Sequence, residues 1–334
     1  MVHRCALITG ATYGTGRAFA EALPAATGLV LTGRTEAKLA ELQEALSGDG
    51  RQVQTVVADL ATEAGRDRVI AAAQAADIDL LINNAGLGQF GALTDNPPEA
   101  EREMTEVNVV APVVLTRALL PGMTVRAETA GRRAGVILVS SVAAFQPLPF
   151  FATYAATKAF DLLFAEALAG ELRDAPVDVL AVCPGATRTE FFRRAGLSDT
   201  IFPHIMEPEV VARRGLTALG RRTIDISDPM RRIMLGPALA FRAVKRGAIG
   251  FVMRRIADRA KRWNAELVKS LRGPPWQPTP GRHDEAIPVR VRLAEEGRPI
   301  LPNPDGLAAP KPEIKRSDVI RVGCTIGCPG CKDR

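Results

Sequence analysis

Histidine, tryptophan and tyrosine are nearly missing from this chain, with three, two and two copies, and cysteine is held to five. His3, His204 and His283 lie far apart without metal-ligand spacing, so no metal site is expected from them. Cys5 and Cys183 lie in apolar runs and read as small core residues, whereas Cys324, Cys328 and Cys331 crowd the last eleven residues. Thiols so distributed do not form the disulfide framework of a small secreted scaffold. The first ten residues, "MVHRCALITG", lack the apolar core of a secretory signal, so a reducing, cytoplasmic setting is the expectation. The terminal C-x3-C-x2-C spacing is three thiols where a closed zinc site wants four ligands, and it reads as a redox-labile tail. Long apolar runs are also lacking. The longest uncharged stretch, Gly135 to Thr157, contains Ser140, Ser141, Gln146, Pro147, Pro149 and Thr153, which argues against a continuous lipid-facing helix.

What is present suits a globular enzyme-sized chain: 47% hydrophobic and 24% charged residues. The net charge of +6 is unevenly placed. Residues 1–212 carry 17 basic and 25 acidic side chains, whereas residues 213–262 carry 14 basic and 3 acidic ones. Across the first 185 residues, short β-rich runs ("CALIT", "GLVLT", "VQTVVA", "IDLLIN", "GVILVS", "VDVLAVC") alternate with Ala- and Leu-rich segments of helical spacing. Near-continuous apolar strands between helices predict an α/β fold: a doubly wound parallel sheet with ligands at the carboxyl ends of its strands. The expected organisation is one such domain over 1–227, a basic helical extension over 228–272, and a Pro-rich disordered tail over 273–334.

Two stretches carry chemistry. The first βα turn, "TGATYGTG", sets Gly10, Gly14 and Gly16 between an apolar strand and a helix. There the backbone can turn tightly and approach a pyrophosphate at the positive helix end. The second strand ends in "LTGRTEAK", with Gly33 and Arg34 where NAD recognition wants a carboxylate. A guanidinium suits a 2′-phosphate, so NADP(H) is the expected cofactor, with Arg17 as a second cation. Further on, "YAATK" places Lys158 one helical turn after Tyr154. A phenol ionises near pH ~10, and a neighbouring cation stabilises the phenolate. Such a pair is a candidate acid–base catalyst.

These motifs, with Asp59 in "ADL", "NNAG" at 83–86, Asn108, Ser141 and "PGATRT" at 184–189, follow one another in the order of a known family. Over roughly residues 3–225 the chain resembles the short-chain dehydrogenase/reductases. "TGATYGTG" departs mildly from the usual form in having Tyr13 and Thr15, which touches cofactor affinity and removes no catalytic group. The resemblance implies a Rossmann-type fold and a hydride exchange between carbonyl and alcohol. Tyr154 is then the proton donor or acceptor, Lys158 lowers its pKa and holds the nicotinamide ribose, Ser141 bonds the substrate oxygen, and Asn108 holds a water in a relay. It also implies cofactor contacts at Gly10, Thr12, Gly14, Gly16, Arg17, Arg34, Asp59, Asn84, Gly86, Tyr154, Lys158, Pro184, Gly185, Thr187 and Thr189.

In this family the loops after the fourth, fifth and sixth strands choose the substrate. Here they offer Phe90, Phe145, Leu148, Phe150, Phe151, Phe191, Phe192, Ile201 and Phe202, which suits a lipophilic carbonyl compound or caps the core. A ketoacyl-thioester reductase and a non-catalytic dinucleotide-binding sensor or scaffold are the alternative readings. A homo-oligomer is in keeping with the resemblance. Within the basic extension, Ile249, Val252, Ile256, Ala260, Trp263 and Leu267 recur at helical spacing among arginines. That stripe is suited either to packing on the domain or to peripheral contact with an anionic membrane; nucleic acid is not an expected partner.

Overall fold

The computed structural model describes residues 3–197 and 205–236 continuously, and single positions from there to 256. Seven parallel strands form one sheet in the order β3-β2-β1-β4-β5-β6-β7. They are β1 (Cys5–Ile8), β2 (Gly28–Gly33), β3 (Val53–Val57), β4 (Leu80–Asn83), β5 (Ala134–Val139), β6 (Val177–Cys183) and β7 (Ile224–Ile226). The order reverses between β1 and β4, and a crevice opens there beyond the strand ends. The six expected strands are all found. The seventh, only three residues long, pairs Ala181 with Ile224 and Cys183 with Ile226.

Strand periodicity divides the core into two halves. Leu7, Val30, Leu81, Val136 and Leu138 face one side, under α3 (Glu63–Ala75), α5 (Ala111–Ala130) and α6 (Ala152–Glu171). Ala6, Ile8, Leu29, Leu80, Ile82 and Ile137 face the other, under α1 (Gly14–Ala22), α2 (Glu36–Leu46) and α8 (Pro208–Ala218). All four residues of β1 and of β4 are buried, as a strand covered on both faces requires. This is why those runs read as uninterrupted apolar sequence.

The helix α4 (Pro98–Thr105) continues into α5 through a π-helical turn, Glu106–Val110. The combined helix, Pro98–Ala130, is apolar and long enough for a membrane span by length and composition. Leu115, Leu119 and Met123 are instead buried in the core. A short helix α7 (Phe191–Arg194) follows β6, and residues 229–236 are again helical. These strands and helices all lie within the compact unit Met1–Arg259. The tail over 273–334, Cys324, Cys328 and Cys331, and most of the amphipathic stretch from Ile249 to Leu267 lie outside the described residues.

Candidate active site

A cleft of about 1510 Å³ runs along the carboxyl ends of the strands. One end is the glycine turn. Gly10 has φ +62°, and a Cβ there would sit 2.9 Å from the Ala85 backbone. Gly14 has φ +52°, and a Cβ there would lie 2.4 Å from Thr189. Only glycine lets the loop adopt this shape and keep the groove open. Asn84 holds the turn from behind: its Nδ2 donates to the carbonyls of Thr9 (2.9 Å) and Gly10 (3.1 Å). Thr9 Oγ1 in turn accepts from the amides of Asn84 and Ala85.

Thr12, Gly33, Arg34, Asp59, Gly86, Pro184, Gly185, Thr187 and Thr189 line the same cleft. Arg34 is half exposed and pairs with Glu103 of α4 at 2.5 Å. Three expected site residues do not line it. Gly16 lies behind the turn, where a Cβ would meet the Gly10 carbonyl at 2.3 Å. Arg17 is committed to Glu21 (2.8 Å) and Glu41 (3.3 Å). Asn108 sits in the π turn, buried and fully engaged. Its Oδ1 accepts from the Leu87 amide at 2.8 Å, and its Nδ2 donates to the Leu87 carbonyl and Thr157 Oγ1. The widened turn swings this side chain out of the helical ladder to clamp the strand-β4 loop onto α6, the kind of local irregularity found at functional sites.

The other end gathers the catalytic candidates. Tyr154 stacks on Phe151 (ring centroids 4.4 Å apart, 23°) and tilts against Phe191 at 5.1 Å. Ser141, the residue at which the strand-β5 loop turns, lines the cleft with it, and its Oγ accepts from the Ala143 amide. Lys158 Nζ donates to the Val139 carbonyl at 2.9 Å and to Asp161 Oδ2 at 3.0 Å. Burial drives the Tyr154 phenol above its ordinary pKa; the Lys158 charge and the Ser141 hydroxyl pull it down, and Asp161 pushes it further up. The expectation that Lys158 lowers this pKa holds for the sign of its own effect, but desolvation outweighs it. Burial likewise opposes the Lys158 ammonium, yet Asp161 and Tyr154 hold it above the usual lysine range. Cys183 beneath them is pushed up to about 12 by burial, which makes it an inert core thiol.

The substrate loops behave less uniformly. Phe90, Leu148, Phe151, Phe191 and Phe192 line the cleft, joined by Leu197, Met230 and Met234. Phe145 packs against the core and Phe150 points outward, 59% exposed. Ile201 and Phe202 lie outside the described residues. Sequence reasoning missed Glu103, Asp161, and the wall supplied by Asp228, Pro229, Met230, Arg231 and Met234. It also missed the Arg194 guanidinium, 4.6 Å over the Tyr13 ring. A lone aspartate three residues after Lys158, on an otherwise apolar helix face, was the one local signal available.

A Rossmann sheet, a glycine turn at a helix start, and a buried Ser–Tyr–Lys set facing the same groove define a nicotinamide-dinucleotide oxidoreductase. Residues 4–198 match the model of the short chain dehydrogenase family. Dehydrogenase/reductase SDR family member 7B of Bos taurus is 34% identical over 265 residues, covering 71% of this chain and 78% of that protein. A short-chain dehydrogenase from Sphingobium yanoikuyae in complex with NADPH superposes with TM-score 0.63 at 30% identity, over 72% of this chain and 94% of that one. A short-chain dehydrogenase/reductase from Burkholderia phymatum in complex with NAD gives TM-score 0.63 at 25% identity, over 70% and 92%. The chain belongs to the short-chain dehydrogenase/reductase family. Among the described residues no cluster of three or more metal-ligating side chains occurs.

Proposed function

We propose that the protein is an NADP(H)-dependent oxidoreductase that interconverts a carbonyl and an alcohol on an apolar substrate. The observation that carries this is the Ser141–Tyr154–Lys158 set on one wall of a cleft whose far end presents Arg34. The groove fits the cofactor: the open Gly10 and Gly14 backbone admits a pyrophosphate, Arg34 suits a 2′-phosphate, and Lys158 suits a ribose hydroxyl. When bound, the dinucleotide supplies or accepts hydride. Ser141 orients the substrate oxygen, and Tyr154 gives it a proton in reduction or takes one in oxidation. Lys158 stabilises the phenolate left behind. The aromatic and methionine wall excludes water and binds an apolar body beside the reacting group.

Tyr154→Phe tests the assignment. It removes the proton donor but keeps the ring against Phe151 and Phe191, so turnover is expected to fall at least a thousandfold, the upper part of the range for general acid–base catalysis. NADPH binding, followed by fluorescence, stays within a few-fold. Retention of a tenth of wild-type turnover overturns the reading.

A further inference from the structure

Lys158 does not face Tyr154 as a lone cation. One turn further along the same face of α6, the Asp161 carboxylate meets its ammonium at 3.0 Å, and the side chains are only 6% and 5% exposed. The Val139 carbonyl takes a second ammonium proton at 2.9 Å. Two of the three donors are thereby fixed by the protein, which leaves one for a ligand in the cleft. A buried carboxylate on an apolar helix face is costly unless it is paired, and its partner here is the lysine of the catalytic set.

We propose that Asp161 is a third charged member of the Tyr154–Lys158 unit, a positioning residue that pins the Lys158 ammonium and supplies its counter-charge. The proposal rests on the catalytic reading of Tyr154 and Lys158 given above. Its consequence follows from charge alone. Tyr154 and Lys158 share a titration, so the first proton they lose belongs to the pair. Burial holds the Asp161 carboxyl above its ordinary pKa, with the Lys158 ammonium and its hydrogen bond pulling the other way; ionised beside that ammonium, it repels the phenolate and makes loss of the phenol proton harder. Asp161 thus keeps the phenol protonated to higher pH, in the form that acts as the acid of carbonyl reduction.

Most other charges near α6 are already matched or neutral, and Glu171 lies exposed at its far end. Glu166 on the same helix pairs with Arg242, and Asp225 on β7 pairs with Arg214 and Arg222. From α4 and the π turn, Glu101 bonds Asn96, Glu103 pairs with Arg34 and Glu106 with Arg66. At the mouth, Asp228 caps the amides of Met230 and Arg231 and lies 3.9 Å from the Arg231 guanidinium. Cys183 of β6 stays a thiol, and β5 ends in Ser140 and Ser141. Asp161 is the carboxylate that contacts the catalytic lysine directly.

The chain has only two tyrosines, Tyr13 and Tyr154, which allows a direct test. In a Tyr13→Phe background, tyrosinate absorbance reports Tyr154 alone, with or without turnover. Asp161→Asn keeps the size and an acceptor for Lys158 but removes the charge. The expected result is a tyrosinate transition, and a matching alkaline limb of reductive kcat/KM, displaced to lower pH by about one unit or more. Asp161→Glu is expected to restore much of the parent profile. If Asp161→Asn is not obtained folded, Asp161→Ser is read in the same titration. A folded neutral variant whose tyrosinate transition and pH profile coincide with the parent overturns the proposal, even if its melting temperature has fallen. Failure of the parent to reduce any carbonyl, with the tyrosinate shift still present, strikes the proposed function and not the Asp161 pairing.

Discussion

Arg34 shows how a single side chain at this site is pulled between protein and ligand. Its guanidinium stands where a 2′-phosphate is expected, yet it is already paired with Glu103 at 2.5 Å. The two side chains are 52% and 38% exposed, so the pair is screened and weak, and a phosphate with two charges can displace the carboxylate. Arg34→Asp is expected to lower the NADPH-to-NADH ratio of kcat/KM by about ten- to a hundredfold, since a charge-assisted hydrogen bond contributes about 1.5–3 kcal/mol. Glu103→Gln is expected to move the same ratio the other way by a few-fold, because it frees Arg34 without touching the nicotinamide end. Unchanged ratios in both variants place phosphate recognition elsewhere. Arg17 answers to a similar description in the sequence, but in the structure it pairs with Glu21 and Glu41 and is not among the residues lining the cleft.

Elements differ in how plainly the sequence displays them. The central strands β1, β4 and β5 are buried on both faces, so their apolar runs stand out without knowledge of the fold. The glycine turn and the Tyr154–Lys158 pair are equally legible, because local geometry demands those residues at those spacings. What stays hidden depends on partners distant in sequence. β7 is too short to carry a periodic pattern, and it exists because β6 offers an edge to Ile224–Ile226. The π turn at Glu106–Val110 leaves no signature of its own, since it is fixed by Asn108 bonding Leu87 and Thr157. The loop before α6 hides a further feature. Phe150 adopts φ +64°, which a bulky residue rarely does, while its neighbour Phe151 stacks on Tyr154. Its carbonyl accepts from the Gly91 amide at 2.9 Å, so the strained turn also ties the β4 loop to the catalytic helix. Phe150→Asn relieves a left-handed conformation that costs about 1–2 kcal/mol. Because the ring is 59% exposed, little burial is lost, and chemical denaturation is expected to show a gain of about 0.5–1 kcal/mol. A loss of stability instead shows that the Phe90–Phe150 ring contact outweighs the strain.

At the scale of the whole molecule, an acidic catalytic domain is followed by a strongly basic segment, and the composition changes near residue 213. The cleft does not respect that change. Asp228 is buried, accepts the amides of Met230 and Arg231, and lies so near Gly185 that a Cβ there would meet its Oδ2 at 2.9 Å. Met230 and Met234, on the 229–236 helix, then add apolar surface to the substrate end. Chain that is basic by composition therefore lines the cleft in its first turns. Two truncations separate these parts. Removal of 228–334 strips the Asp228–Met234 wall, and kcat/KM for an apolar ketone is expected to fall at least tenfold, about 1.4 kcal/mol of lost stabilisation, mainly through KM. Removal of 260–334 ends the chain where the first compact unit ends, at Arg259, and leaves every described lining residue of the cleft in place. Its kcat/KM is expected to stay within about twofold of the full chain, since no described lining residue is lost. A tenfold loss in the protein ending at Arg259 means that residues beyond it shape the site; full activity in the protein ending at Ser227 means that the 229–236 helix covers the cleft without contributing to binding.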